Sequence, residues 1–251
     1  MNEAAERVAR FIQWSEDGSY GVSALRDRRG YLPKAGAVVR LTESLYPDGE
    51  AGQVVLGTGF DPARTDAAFE RIRGALSLIP SANVGETFPV WCSETSREPR
   101  AERLVLTGET WAGKPQGALF TSTGGADFAG AWSTYALTLG METDSWSYWA
   151  LTARQARVFN IDSAVAWCTF AYEFMEASGS INWASASVKW DAVHISAAAV
   201  AATDCFEFSW RDRTIPAPFW GTETTVWLRW MFTEVRQWGT VPSDDDTAPH
   251  H

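Results

Sequence analysis

His194 is the only histidine inside the chain; the other two, His250 and His251, end it. A single imidazole cannot supply a His-Glu-x-x-His zinc site. Cys92, Cys168 and Cys205 lie far apart and form no Cys-x-x-Cys pair. They read as reduced structural thiols, and no metal site is expected. Hydrolytic chemistry would have to draw on Asp191, His194 and a serine such as Ser196, all within the strand-like segment DAVHIS. No Gly-x-Ser-x-Gly elbow accompanies them. Val193 and Ile195 flank the imidazole, so His194 reads as a hydrogen-bonded residue of strand packing, with an α+β hydrolase as the sharper alternative. Gly-x-Gly-x-x-Gly and Walker sequences are absent, which argues against the common nucleotide-binding folds.

A pattern of another kind runs through the second half. Val105-Leu106-Thr107-Gly108 ends one expected strand, and Phe120-Thr121-Ser122-Thr123-Gly124 ends the next. An aromatic helix with Trp132 and Tyr135 follows. A late strand opens with Glu223-Thr224-Thr225 before the apolar run from Val226. This order resembles the ADP-ribosyltransferase superfamily over residues 103–233. There a first strand ends in Arg-Gly or His-Gly, a second carries an aromatic-x-Ser-Thr-Ser motif, and a late strand carries Glu-x-Glu. ALFTST and DAVHIS also resemble segments of uncharacterised bacterial proteins.

The resemblance implies a mixed or antiparallel split sheet and NAD as substrate. Glu223 would stabilise the oxocarbenium-like ribosyl cation, with Ser122 in support. Thr107, Gly108 and Thr123 would hold the cofactor, and Trp132 or Tyr135 would stack on the nicotinamide. Three positions depart from the pattern. Thr107 stands at the Arg or His position, Gly124 at the second Ser, and Thr225 at the second acid. Two readings therefore stand side by side. One is ADP-ribosyl transfer or NAD glycohydrolysis to an unknown acceptor. The other is a catalytically inactive ADP-ribosyltransferase-like module whose tryptophans meet a protein partner.

The expected elements form an α+β chain. Thirteen of the fourteen tryptophans follow residue 90, which divides the chain. Residues 1–90 read as a small accessory α+β region, with a helix over 3–15, strands over 37–42 and 53–57, and a helix opened by Asp61-Pro62. The polar, proline-punctuated stretch over 80–100 reads as a linker. Residues 91–240 form the tryptophan-rich domain. Its expected strands are 103–107, 118–122, 147–152, 156–161, 191–196 and one long final strand over 223–232. Its expected helices are 128–138 and 163–177, with a shorter element over 181–190. Residues 241–251 read as a disordered acidic tail.

A formal charge of −10 argues against broad binding to a phosphate backbone, so the acceptor is expected to be a protein or small molecule rather than nucleic acid. No apolar run reaches the roughly 20 residues of a membrane span. The acidic, amphipathic start is unlike a signal peptide, which leads to an expected cytoplasmic location and no membrane partner.

Overall fold

A computed structural model describes residues 57–63, 65–66, 88–93, 97–111, 113–125, 130–138, 141, 146–203, 206–218, 220 and 222–238. The expected elements over 3–15 and 37–42, most of 53–57, the later part of the helix from Asp61, the tail and Cys205 lie outside these residues.

The strands are β1 (Gly57–Phe60), β2 (Phe88–Ser93), β3 (Thr110–Trp111), β4 (Lys114–Pro115), β5 (Leu119–Gly124), β6 (Ser147–Ala153), β7 (Val158–Ile161), β8 (Ala192–Ile195), β9 (Phe206–Trp210), β10 (Arg213–Ile215), β11 (Thr224–Trp227) and β12 (Phe232–Gln237). Seven of them form a mixed sheet in the order β12-β6-β2-β5-β11-β8-β7. Its neighbours are antiparallel except β7 and β8. The parallel pair needs a crossover. Helices α2 (Ala164–Phe174) and α3 (Trp183–Lys189) supply it, after α1 (Ala131–Thr138) and before α4 (Ala197–Thr203). The chain is thus α+β, with few helices on a mixed sheet.

The crossover helix α2 shows why this sequence folds here. Ser163 caps it, its hydroxyl accepting from Ala166 N at 3.2 Å. The Asp66 carboxylate takes the remaining free amides of Ala164 and Val165 at 2.6 and 2.9 Å, placing negative charge at the positive helix end. Trp167, Phe170, Ala171 and Phe174 recur at helical spacing and are buried with Val193, Ile195 and Val226 of the sheet. Among the described residues no helix is long and apolar enough to cross a membrane.

The stretch expected as a linker contains β2, an inner strand paired with β5 and β6. A boundary at residues 90/91 falls inside that strand. β1 pairs with β9, and Asp66 caps α2, so these described residues of the front half pack into the back half. The expected strand 103–107 is a 3-10 turn and an extended segment instead, with Val105 exposed. It has no ladder partner; Thr107 N bonds only to Gln116 O, at 3.4 Å.

The expected long strand 223–232 is broken. The Asp191 carbonyl accepts from both Leu228 N and Arg229 N, turning the chain after β11. The Asp191 carboxylate then bonds Arg157 Nε at 3.2 Å and Arg229 Nη1 at 3.4 Å. The chain emerges as β12 at the far edge of the sheet.

Candidate functional site

Register decides which residues can meet. Thr225 stands opposite Thr121 on one side and His194 on the other, so these three share a face. Phe120 stands opposite Val226, and Val90 opposite Ser122, on the reverse face. The reverse face is the one buried against α2 and α3. The first face carries Trp227 and Leu151, packed with Phe232.

On the first face, Glu223 enters β11 with its carboxylate over β5. Thr123 N donates to Oε2 at 3.0 Å and to Oε1 at 3.3 Å. Thr123 Oγ1 donates to Oε1 at 2.9 Å. His194 Nδ1 lies 2.9 Å from Thr225 Oγ1 and 3.5 Å from Glu223 Oε1. The Glu223 side chain is only 11% exposed. Burial pushes its carboxyl up to about 7, although the bonds from Thr123 pull the other way. Burial likewise pushes His194 below its usual value. The two groups stand at ion-pair distance, yet burial disfavours charge on both. The imidazole is therefore held neutral, and the carboxyl exchanges its proton close to neutral pH.

The reverse face bears a cleft of about 510 Å³, lined among others by Val90, Lys114, Phe120, Ser122, Trp132 and Trp220. That volume lies within the range of small-molecule sites, about 300–1,000 Å³. Ser122 anchors one wall: its hydroxyl accepts from Trp132 N at 3.0 Å and donates to the Glu223 carbonyl at 3.4 Å. Gly130 makes this approach possible. Its φ is +96°, and a Cβ there would stand 2.6 Å from Ser122 Cβ. The hairpin β3–β4 forms the opposite lip. Trp183 Nε1 holds it through the Gly113 carbonyl at 2.9 Å, and Lys114 Nζ sits 5.5 Å over the Trp220 ring. Trp132 lines this cleft and is 37% exposed.

The residues expected to form one site are thus divided by the sheet. Glu223 and Thr123 meet on one face, and Ser122 and Trp132 on the other. Ser122 reaches Glu223 only through its main chain. Thr107 and Gly108 lie exposed, outside the cleft lining; Thr107 Oγ1 accepts from Glu109 N. Tyr135 falls on α1, the helix that Trp132 begins to turn into the cleft. Asp191 is committed to its arginines, and Ser196 Oγ accepts from Ala199 N at the start of α4. Those two and His194 form no relay.

Sequence reasoning missed Lys114, Trp220 and the contact of His194 with Thr225. Lys114 sits in an ordinary Gly-Lys-Pro turn and carries no signal of its own. The His194 contact depends on a β8–β11 register that short motifs do not encode. Among the described residues, no group of three or more His, Cys, Asp or Glu could hold a metal ion. No family profile, curated protein or solved structure gives a significant match to this chain.

Proposed function

We propose that this chain is an ADP-ribosyltransferase-like binding module that takes NAD, or a ligand of the same chemistry, into the cleft without cleaving it. The ligand class follows from the lining. The half-exposed indole of Trp132 suits a flat heterocycle. Lys114, the one charged residue in the lining, suits an anionic phosphate. The cleft accommodates one nucleotide half, with the remainder of a dinucleotide crossing the Lys114 lip.

One observation carries the non-cleaving part: the Glu223 carboxylate and the cleft lie on opposite faces of the sheet. Cleavage breaks the C1′–N bond, and both electrons leave on neutral nicotinamide. The ribosyl cation left behind needs a carboxylate within a few ångströms. No lining residue of the cleft supplies one. Thr107 at the Arg or His position points the same way.

ADP-ribosyl transfer or NAD glycohydrolysis is the second reading. It is favoured by the Glu223 carboxyl itself, which at about 7 is poised to accept a proton from an attacking acceptor. That chemistry would require the ribose to approach the Thr123–Glu223–His194 face. A cytoplasmic setting, where NAD is plentiful, belongs to either reading.

Calorimetry with NAD, alongside chromatographic assay of free nicotinamide, separates them. Stoichiometric binding with no nicotinamide is the expected result. Nicotinamide release that disappears in Glu223→Gln would establish the second reading. A chain that binds no NAD would overturn both.

A further inference from the structure

We propose that Glu223 and His194 form a proton-responsive pair on one face of the sheet, and that its protonation regulates ligand binding in the cleft on the other face. The proposal rests on the binding reading above. It begins with the way two adjacent residues of β5 grip one residue at the start of β11. Thr123 holds the Glu223 side chain through its N–H and its hydroxyl. Ser122 holds the Glu223 main chain and, with the same hydroxyl, the first turn of α1 through Trp132 N. One grip depends on charge and the other does not.

With Glu223 ionised, both Thr123 bonds are charge-assisted and the β5–β11 junction is held tightly. His194, neutral, then carries its proton on Nδ1 and donates toward Glu223 Oε1 or Thr225 Oγ1. When Glu223 takes up a proton, its new O–H is the donor and Nδ1 the acceptor. The imidazole proton then stands on Nε2, and the Nδ1–H bond toward Thr225 Oγ1 is lost. The carboxyl also accepts more weakly from Thr123, so the junction loosens next to Ser122 and Trp132. One proton is gained, and no other group changes charge.

The surroundings leave the pair in control of its own titration. Strands β5, β7, β8 and β11 carry no ionisable side chain other than His194. Asn160, opposite His194 on β7, is neutral, as are Thr121, Thr123 and Thr225. The shift of Glu223 toward 7 puts the transition within the physiological range.

The test follows the full-length chain between pH 5.5 and 8.5. Infrared or ¹³C resonance of labelled glutamate reports Glu223, identified by its loss in Glu223→Gln. The ¹⁵N indole resonance of Trp132, assigned with Trp132→Phe, reports the cleft. Both should titrate with one midpoint near 7 in the absence of ligand. NAD affinity should change about fivefold over the same range. Glu223→Gln should abolish the Trp132 titration and the pH dependence of binding, and His194→Asn should move the midpoint. A Trp132 resonance that ignores the Glu223 titration overturns the proposal. So does pH-dependent binding that persists in Glu223→Gln. If the two titrations coincide but NAD does not bind, the linkage stands and the NAD reading fails. Should Glu223→Gln not fold, His194→Asn still decides: the Glu223 and Trp132 midpoints must move together, and a Trp132 midpoint that stays put overturns the proposal.

Discussion

Ser122 and Thr123 are neighbours in sequence and turn to opposite faces of the sheet. The first hydroxyl accepts from Trp132 N at 3.0 Å, and the second donates to Glu223 Oε1 at 2.9 Å. A short Ser-Thr motif thus serves two environments, one a cleft floor and the other a buried carboxyl. The separation generates distinct expectations for substitutions on the two sides.

Lys114→Gln removes the cation at the cleft lip while leaving the hairpin, which Trp183 holds by the Gly113 carbonyl. NAD affinity should fall by about tenfold and lose most of its salt dependence, with the melting temperature nearly unchanged. Calorimetry at two salt concentrations checks this. Unchanged affinity would remove Lys114 from the site.

Gly130→Ala should destabilise the fold by about 1–3 kcal/mol, because it combines a positive φ with a Cβ pressed on Ser122. Ser122→Gly in the same chain should return part of that loss by clearing the collision. Urea unfolding of the two single variants and the double variant measures the coupling. Strict additivity would mean that the two residues do not press on each other.

The sign for Glu223 runs opposite to that of a salt-bridged acid. Its folded value, about 7, exceeds the ordinary 4.5. Its contribution to stability is therefore complete below about pH 4.5 and is lost as pH rises through 7. Glu223→Gln should gain on the wild-type chain across that window, by at most about 3 kcal/mol, and run parallel above it. Denaturation at pH 4.5, 6 and 8 checks the trend. A constant difference would show that Glu223 is not buried in this way.

Asp191 behaves in the usual sense. Hydrogen bonding to the Arg157 guanidinium holds its carboxyl below the ordinary range, so its contribution is present above pH 4 and lost on acidification. Asp191→Asn should cost about 2 kcal/mol, since the arginines it joins are half exposed. Nicking by protease should then rise at the turns 154–157 and 228–231, which this carboxylate ties together. A cleavage pattern like that of the wild-type chain would count against the tie.

A chain beginning at Trp91 should fail to fold cooperatively. It keeps half of an inner strand and loses β1 and the Asp66 cap on α2. Circular dichroism and solubility decide this. A soluble, cooperative fragment would restore the boundary expected from the tryptophan distribution.

Local signals were legible where the physics is local. The cap sequence Asp162-Ser163 marks the start of α2, and the short apolar segments within 147–152 and 191–196 mark β6 and β8. Non-local choices were not. Nothing in ETTVWLRWMF reveals that a carbonyl from residue 191 will turn the chain at Leu228. The short apolar core of FPVWCS was hidden by polar flanks, although it lies at the centre of the sheet. The candidate site depended on parity: Glu223 and Ser122 sit together in any motif order, and only the register shows them back to back.

The position of β11 has a consequence during synthesis. It is the link between β5 and β8, and it lies about a hundred residues after β5 in the chain. Until it leaves the ribosome, both of those strands present an open edge, with Phe120 and Val193 beside it. At about 5–20 residues per second, that exposure lasts several seconds. The last strands to be made are thus the clasp that closes those edges.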